Sequence, residues 1–335
     1  MLRHISPPKQ KDLATIWTSS EYQKILDGLK GKQVSLGFKS SFNANDGSLT
    51  VTEVLPDSPA ESVLELHDRI LKINSNELKG MSLHELNALL EGDEGSKVTL
   101  TVNRGLDILD LTIKLEKFET ENIVVTKLAD SIAVVQIKRF TTDIPQNLKD
   151  ALIKLKKENF GRLILDLRNN QGGLFMEALK TAELFLPENH VLLRTYDRKK
   201  ELQNYVSANQ EPLEFETVIL VNEMTASSAE ILATSLQDHN KALIVGTSTF
   251  GKGVFETTYT TENGFRVKFI TGTMYSPKGR SWQNKGILPD FFVKQDNKIL
   301  SKLMKMDMKD RLPMDTALLT AIKLLKLKDP GDHKK

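Results

Sequence analysis

Two short segments of the chain carry residues that could do chemistry. A serine pair, Ser227 and Ser228, follows an apolar run at 218–221 and comes just before a predicted helix, and Lys252 lies between two glycines after the next apolar run. A serine on a strand-to-helix turn can act as a nucleophile, because the first helical N–H groups favour a developing oxyanion. The same serine would equally suit a helix cap. Taken alone, this segment leaves both interpretations open.

The composition restricts the chemistry. The 335 residues contain no cysteine, which excludes disulfides, thiolate metal sites and cysteine nucleophiles. The six histidines show no short metal-ligand spacing, so we predict no metal and no cofactor. A net charge of +2, with lysines spread along the chain, gives no field for nucleic acid. The longest apolar runs are far shorter than the roughly 20 residues of a membrane-spanning helix, and we see no signal peptide.

The elements that must position these residues suggest two domains framed by end segments. A lead-in helix is predicted from 13 to 29, followed by short strands and a helix at 82–90 with capping-box spacing. After residue 119, strands alternate with longer helices, which is typical of an α/β layer. We therefore expect an N-terminal helical segment (1–30), an α+β domain (31–118), an α/β core (119–295) and a helical tail (296–335).

A loop in the smaller domain could bind an anion. Ser35, Leu36, Gly37 and Phe38 lie where a loop enters a strand, and a glycine there lets consecutive N–H groups converge. A peptide carboxylate would suit such a nest, with the peptide added to the sheet edge. A plain strand that contains a glycine explains the same four residues.

The sequence around this loop resembles bacterial PDZ domains. The segments LPDSPAE (55–61) and DRILKIN (68–74) resemble the turn, helix and strand of that family, and the likeness covers about 33–118. It departs at 63–67, where the family usually has a glycine before the strand. The resemblance implies a receptor for chain ends, with Ser35, Leu36, Gly37 and Phe38 binding the peptide, and also a domain that can gate an active site through a hinge near 118–121.

The core, from 119 to about 293, resembles the carboxyl-terminal processing (tail-specific) peptidases. The resemblance rests on several motifs in order: LDLRNNQGG (165–173), NEMTASSAE (222–230), TFGKG (249–253), and YSPKGRS (275–281) with KGILPD (285–290). It implies an α/β peptidase core of the crotonase/ClpP-like kind, with the PDZ-like domain inserted or preceding it.

The resemblance also implies roles for single residues. Ser227 falls on the nucleophile and Lys252, 25 positions later, on its general base. Asp238 falls on an aspartate sometimes assigned to the charge relay, although a surface charge at a helix end explains it as well. The oxyanion donors would be the N–H of Ser228 and that of Gly172 or Gly173.

Glu256 departs from the family, which usually has glutamine four residues after the lysine. A free lysine has a pKa of about 10.4, so a lysine base has to be shifted towards its neutral form. A carboxylate about 4 Å away would stabilise the charged form by about 4 kcal/mol at an effective dielectric constant of about 20. Either Glu256 is protonated and acts like glutamine, or it holds Lys252 charged in a resting enzyme, or activity is low.

The leading interpretation is a serine endopeptidase that captures apolar or unstructured C-terminal tails of polypeptides and cuts them with a Ser/Lys dyad. The main alternative is a binding or scaffold protein with an inactive core, suggested by Glu256 and by Gln171 at a family proline position. An acyl-transfer enzyme of the crotonase-like group would leave the PDZ-like segment unexplained.

The expected cellular location and oligomeric state of the protein rest on the family resemblance. The family suggests the bacterial cell envelope, while the absence of a visible export signal leaves the cytoplasm open. The end segments suit a homo-oligomer, as in the family, or packing on the chain's own core, which we favour.

Overall fold

The structure, a computed structural model, describes residues 15–29, 32–43, 46–55, 57–119, 121–296, 299, 303, 306 and 308–327. The chain forms two compact units. The larger unit combines residues 1–23 with 122–335, and the smaller unit is residues 24–121. The smaller unit is therefore inserted in the chain rather than placed ahead of the core.

The smaller unit is a twisted sheet with one flanking helix. The sheet has the strand order β3-β4-β5-β7-β8, with β6 paired to β5 and a separate β2–β9 ribbon. The predicted capping box is present: Ser82 N–H donates to the Glu85 carboxylate at 2.7 Å, and Glu85 N–H donates to Ser82 Oγ at 3.3 Å. The elements are β2 (Lys32–Ser35), β3 (Phe38–Asn43), β4 (Ser48–Val54), β5 (Arg69–Ile73), β6 (Asn76–Glu77), α2 (Leu83–Leu90), β7 (Lys97–Arg104), β8 (Asp107–Lys114) and β9 (Glu116–Glu119). Helix α1 (Ser19–Leu29) leads into this unit.

The loop where the sequence departs from the PDZ pattern keeps a glycine-like backbone. His67 has φ 72°, in the left-handed region that glycine favours. Asp68 is 2% exposed and accepts the N–H of Glu65 at 2.8 Å. Its carboxylate also accepts a bidentate pair of hydrogen bonds from Arg104, at 2.7 and 2.8 Å, which fixes the loop. The segment 57–63 forms turns rather than the helix that the resemblance implied.

The larger unit consists of two sheets with helices packed around one of them. The first sheet has the order β10-β11-β12-β15-β16-β19 and is parallel except for β10, and the second has the path β1-β18-β13-β14 with β17 paired to β18. Its elements are β1 (Thr15–Trp17), β10 (Ile123–Lys127), β11 (Ile132–Ile137), α3 (Ile144–Lys157), β12 (Arg162–Asp166), α4 (Phe175–Glu183), β13 (Val191–Asp197), β14 (Leu202–Val206), β15 (Glu216–Val221), α5 (Ser228–Asp238), β16 (Ala242–Gly246), β17 (Val254–Thr260), β18 (Arg266–Tyr275), β19 (Phe291–Phe292) and α6 (Thr316–Leu327).

The parallel sheet brings the motif-bearing loops to one edge. Strands β12, β15 and β16 are nearly continuous apolar runs because they are buried on both faces, by α3, α4 and α5 on one side and by α6 on the other. The carboxyl ends of neighbouring parallel strands meet at the same edge. The glycine loop after β12, the serine turn after β15 and the lysine loop after β16 therefore lie side by side.

The end segments differ in part from the prediction. Residues 15–17, predicted as the start of a helix, form β1, which pairs with β18 in the register Thr15–Lys268. Strands β13 and β14 were not predicted. The C-terminal helix α6 packs on the chain's own sheet through Leu318 and Leu325, both fully buried, as we favoured. The parts of the predicted tail at 297–298, 300–302, 304–305, 307 and 328–335 lie outside the described residues.

A buried ion-pair cluster fixes α6 to the sheet. The guanidinium of Arg168, at the end of β12, donates to Asp166 at 2.7 Å and to Asp315, just before α6, at 2.8 Å. Both carboxylates are fully buried. Desolvation of the guanidinium by itself would lower the pKa of Arg168, but the two carboxylates outweigh it and hold that pKa above its ordinary value. Because Arg168 opens the glycine loop, the same contact fixes the start of that loop.

Candidate active site

Ser227 lies on a sharp turn between β15 and α5. Its backbone has φ 56° and ψ −118°, a conformation that costs a non-glycine residue about 1–3 kcal/mol. Such a strained strand-to-helix turn presents a serine hydroxyl at the edge of the sheet, as in nucleophile elbows. Ser227 is partly exposed, whereas Ser228 is 1% exposed and its hydroxyl donates to Gly173 O at 3.1 Å. Of the two serines, Ser227 is the one accessible to a substrate.

A buried carboxylate joins the serine turn to the lysine loop. Glu230, 0% exposed, accepts the N–H of Ser227 at 2.8 Å and the N–H of Lys252 at 2.9 Å on the same oxygen, Oε2. Its other oxygen accepts Thr249 Oγ1–H at 2.5 Å and Gly251 N–H at 2.8 Å. The backbones of Ser227 and Lys252 are therefore close neighbours.

Burial raises the pKa of Glu230 above its ordinary value, because the hydrogen bonds that its carboxylate accepts compensate only part of the desolvation.

The amine of Lys252 is paired with a carboxylate rather than with the serine. Lys252 Nζ lies 3.1 Å from Glu256 Oε2, and Lys268 Nζ reaches the same oxygen at 3.1 Å. Among the hydrogen bonds of the described residues there is none between Lys252 Nζ and Ser227 Oγ. The arrangement brings the two backbones together, while the amine pairs with Glu256 and not with the hydroxyl.

The contacts of Glu256 favour its ionised form. Burial by itself would raise its pKa, but the ammonium groups of Lys252 and Lys268 outweigh burial and hold the pKa of Glu256 below its ordinary value. These contacts favour an ionised Glu256 over a protonated one that acts like glutamine. The resting-pair hypothesis fits the contacts.

The glycine loop lies directly against the serine turn. A Cβ added to Gly172 would lie 2.9 Å from Ser227 Cβ and 3.0 Å from Ser228 N. The N–H of Gly172 donates to Asn170 Oδ1 at 2.8 Å, so Gly172 is not an available oxyanion donor. Within the described part of the chain, the N–H groups of Gly173 and Ser228 donate to no acceptor. Of the two glycines predicted for the oxyanion site, the geometry favours Gly173.

Asp238 is not brought to the serine and the lysine. It closes α5 at the end opposite Ser227, about 16 Å away at 1.5 Å per residue. Its carboxylate contacts the guanidinium of Arg280 and accepts the N–H of Lys278 at 2.8 Å. Asp238 is 4% exposed, so the surface-charge interpretation is wrong as well. It fixes the loop 276–281 against the end of α5.

The predicted peptide-binding loop of the smaller unit contains one glycine in a positive-φ conformation. Gly37 has φ +85°, and a Cβ there would lie 2.1 Å from Ser58 Cβ. The carbonyl of Gly37 accepts the N–H of Leu55 at 2.8 Å and the hydroxyl of Ser58 at 3.1 Å. The N–H groups of Leu36 and Gly37 donate to nothing within the described residues. Ser35 ends β2 and Phe38 begins β3, an outer strand of its sheet.

Three residues of the site were not assigned a role from the sequence. Glu230 had a usable signal, since it stands three residues after Ser227 at capping-box spacing. Asn170, which is 0% exposed, joins the glycine loop to the serine turn, because its backbone carbonyl oxygen accepts Ala226 N–H at 2.9 Å. Lys268 had no sequence signal, because its contact with Glu256 depends on the pairing of β17 with β18.

Neither a metal site nor a membrane-spanning helix is found among the described residues. No group of three or more His, Asp or Glu side chains there could hold a metal ion. None of the helices described is both long and apolar enough to cross a membrane.

Sequence comparison agrees with this architecture of an α/β core with an inserted PDZ-type unit. Residues 131–293 match the model of peptidase family S41, and residues 50–104 match that of the PDZ domain. Residues 131–293 thus carry the signature of peptidase family S41 and residues 50–104 that of a PDZ domain, which confirms the resemblance to the C-terminal processing peptidases.

The chain is similar to curated bacterial proteins named "Probable CtpA-like serine protease". It is 33% identical to one from Staphylococcus saprophyticus over 276 residues, which are 82% of this chain and 56% of that protein. It is also 33% identical to one from Staphylococcus aureus strain COL over 296 residues, 88% of this chain and 58% of that protein. The chain thus spans less than two thirds of the length of these relatives.

Two solved structures share the fold. The photosystem II D1 C-terminal processing protease superposes with a TM-score of 0.56 at 24% identity, over 84% of this chain and 78% of that one. A "Putative S41 protease" from Bacteroides fragilis gives a TM-score of 0.61 at 17% identity, over 87% and 82%. At these identities the likeness concerns the fold alone, and it agrees with the predicted fold class.

Proposed function

We propose that the chain is a serine endopeptidase in which Ser227 is the nucleophile and Lys252 its general base. The observation that carries this proposal is the shared oxygen of Glu230, which accepts the N–H groups of Ser227 and Lys252 at 2.8 and 2.9 Å. In the proposed active state, the lysine side chain has rotated away from Glu256 and its amine contacts the hydroxyl.

The proposed reaction is an acyl transfer. Ser227 Oγ attacks the scissile carbonyl carbon while neutral Lys252 takes the hydroxyl proton. The N–H groups of Ser228 and Gly173 stabilise the tetrahedral oxyanion. The C–N bond then breaks, Lys252 returns the proton to the leaving amine, and water hydrolyses the acyl-serine with the lysine again acting as base.

The proposed substrates are polypeptides with apolar or unstructured C-terminal tails. In the smaller unit, the N–H groups of Leu36 and Gly37 suit a terminal carboxylate. In the larger unit, Met224 and Phe250 are 42% and 63% exposed and lie on the serine and lysine loops, which are joined by the bond from Phe250 N–H to Thr225 O at 2.9 Å. Large apolar side chains exposed beside a site are suited to apolar substrate residues.

A cleavage assay tests the proposal. The purified chain is incubated with an unfolded protein that ends in an apolar tail, and the fragments are identified by mass spectrometry. We expect internal cuts that disappear in Ser227→Ala and in Lys252→Ala, while tail binding is kept in both variants. Unaltered cleavage by Ser227→Ala would refute the assignment of the nucleophile.

A binding protein with an inactive core is the second candidate. The observation that favours it is the ion pair of Lys252 with Glu256, which engages the amine with a carboxylate instead of the Ser227 hydroxyl. This candidate predicts tail binding without fragments at any pH and also in Glu256→Gln.

From the family resemblance, the proposed location of the protein is the bacterial cell envelope. The activity of the whole protein is likewise a proposal, because the chain covers 56% and 58% of the length of the two relatives.

A further inference from the structure

Glu230 is a fully buried carboxylate that the proposed reaction does not use as acid, base or oxyanion donor. It lies in the first turn of α5, and its two oxygens accept four hydrogen bonds at 2.5–2.9 Å. The donors come from both sides of the site: Ser227 on the serine turn, and Thr249, Gly251 and Lys252 on the lysine loop.

The hydrogen bonds of Glu230 also restrain the distance between the serine turn and the lysine loop. Because Oε2 accepts both N–H groups, the nitrogens of Ser227 and Lys252 are no further apart than the sum of the two bond lengths. The same oxygen restrains Ser227 in its positive-φ conformation. Thr249 extends the set, because its hydroxyl donates to Glu230 and accepts Ile287 N–H at 2.7 Å.

We infer that Glu230 is a positioning residue that sets the separation of nucleophile and base. The inference rests on the proposed dyad of Ser227 and Lys252. All four partners of Glu230 are hydrogen-bond donors, so the side chain at this position must present acceptor oxygens to each of them. A glutamine of the same shape would place an NH₂ group against two of these donors, whichever way it is turned.

The test compares Glu230→Gln with two graded variants of its partner. Proton transfer and attack depend on position to within about 1 Å, so we expect Glu230→Gln to lower kcat about 100-fold with KM within about threefold. Thr249→Val, which loses one of the four donors, should lower kcat severalfold, and Thr249→Ser, which keeps the hydroxyl, should restore it. The rate at which a sulfonyl fluoride labels Ser227 should fall most in Glu230→Gln, less in Thr249→Val and least in Thr249→Ser.

A control separates positioning from loss of stability. Leu236→Ala creates a cavity in the same helix, at a fully buried residue far from the lysine loop. We expect it to lower the melting temperature while kcat and labelling of the folded protein stay near those of the parent chain. If Leu236→Ala loses as much kcat as Glu230→Gln at an equal fall in melting temperature, Glu230 has only a structural role and the inference is overturned.

The outcomes also separate this inference from the proposed function. If Ser227→Ala and Lys252→Ala are inactive while Glu230→Gln keeps the parent's kcat, the dyad stands and the inference fails. If Glu230→Gln does not fold, the pair Thr249→Val and Thr249→Ser decides the question, since a kcat that is equal in both variants overturns the inference. If Ser227→Ala keeps cleaving, the proposed function itself fails.

Discussion

Lys252 Nζ and Glu256 Oε2 form an ion pair at 3.1 Å, with the two side chains 36% and 26% exposed. The pair engages the amine of the proposed base, which makes no hydrogen bond to Ser227. Lys268 Nζ contacts the same carboxylate oxygen at 3.1 Å and lies over the ring of Trp17 at 5.3 Å. The strand β1 that carries Trp17 thereby reaches the ionic cluster around the proposed base.

Removal of the carboxylate should activate the enzyme. In Glu256→Gln the ion pair is lost, and since a partly exposed pair contributes about 1 kcal/mol, we expect kcat/KM near pH 7 to rise about fivefold. The measurement is the initial rate on an unfolded substrate with an apolar tail. Glu262→Gln, at an exposed hairpin turn, is the matched control and should leave the rate unchanged. An unchanged or lower rate in Glu256→Gln would remove the resting-pair hypothesis.

The second lysine should act with the opposite sign. Lys268 shares Glu256 with Lys252, so Lys268→Gln leaves the carboxylate wholly to Lys252 and should lower kcat/KM about two- to threefold. Because both effects pass through one carboxylate, Lys268→Gln should have no effect in a Glu256→Gln background. A double-mutant cycle of rates measures this, and independent effects of the two substitutions would contradict the shared cluster.

The same cluster predicts a pH-dependent contribution to stability. The folded-state pKa of Glu256 is lowered, so its ionised form stabilises the fold above the pKa of the unfolded chain, and this stability is lost as pH falls through the lower folded-state value. Glu256→Gln should therefore reduce the free energy of unfolding by about 1 kcal/mol at pH 7. The difference should vanish well below pH 4, as measured by urea unfolding. A difference that persists at pH 3 would show that packing, rather than charge, is lost.

A methyl group at Gly172 should stop catalysis. The added Cβ of Gly172→Ala would lie 2.9 Å from Ser227 Cβ and from Ala226 O, and φ +100° strains any L side chain. We expect cleavage to fall at least about 100-fold, because the glycine loop must shift from the serine turn. Gly161→Ala is the matched control, since no heavy atom lies within 4 Å of its added Cβ. Equal activity in both variants would rule out close packing of the glycine loop on Ser227.

A methyl group at Gly37 should impair capture of chain ends without touching the proposed dyad. In the inactive Ser227→Ala chain, Gly37→Ala should weaken binding of a fluorescent peptide with an apolar C-terminus at least about tenfold, because the nest would have to open around Ser58. Gly28→Ala, with no atom within 4 Å, is the control. A peptide with an amidated C-terminus should bind equally weakly to all variants. If Gly37→Ala and Gly28→Ala bind the free-acid peptide alike, the loop is not the carboxylate site.

Local pattern was sufficient for most elements of the fold. The apolar runs that became β12, β15 and β16 are buried on both faces, and such runs are recognisable without knowledge of their neighbours. The capping box of α2 was equally readable, because its donors and acceptors lie within four residues of each other. The strand β1 was predicted as helix because its conformation depends on pairing with β18, about 250 residues away.

The sequence by itself determined the family resemblance, the fold class and the order of the serine, lysine and glycine segments, since these depend on residue type and local spacing. Only the tertiary structure decided which groups meet. It placed Glu230 between the backbones of Ser227 and Lys252, turned the amine of Lys252 to Glu256, engaged the N–H of Gly172 with Asn170 and separated Asp238 from the pair by the length of α5. The physical reason is that a hydrogen bond or ion pair requires positions within about 3 Å, and residues distant in sequence reach them only when sheets and helices have packed.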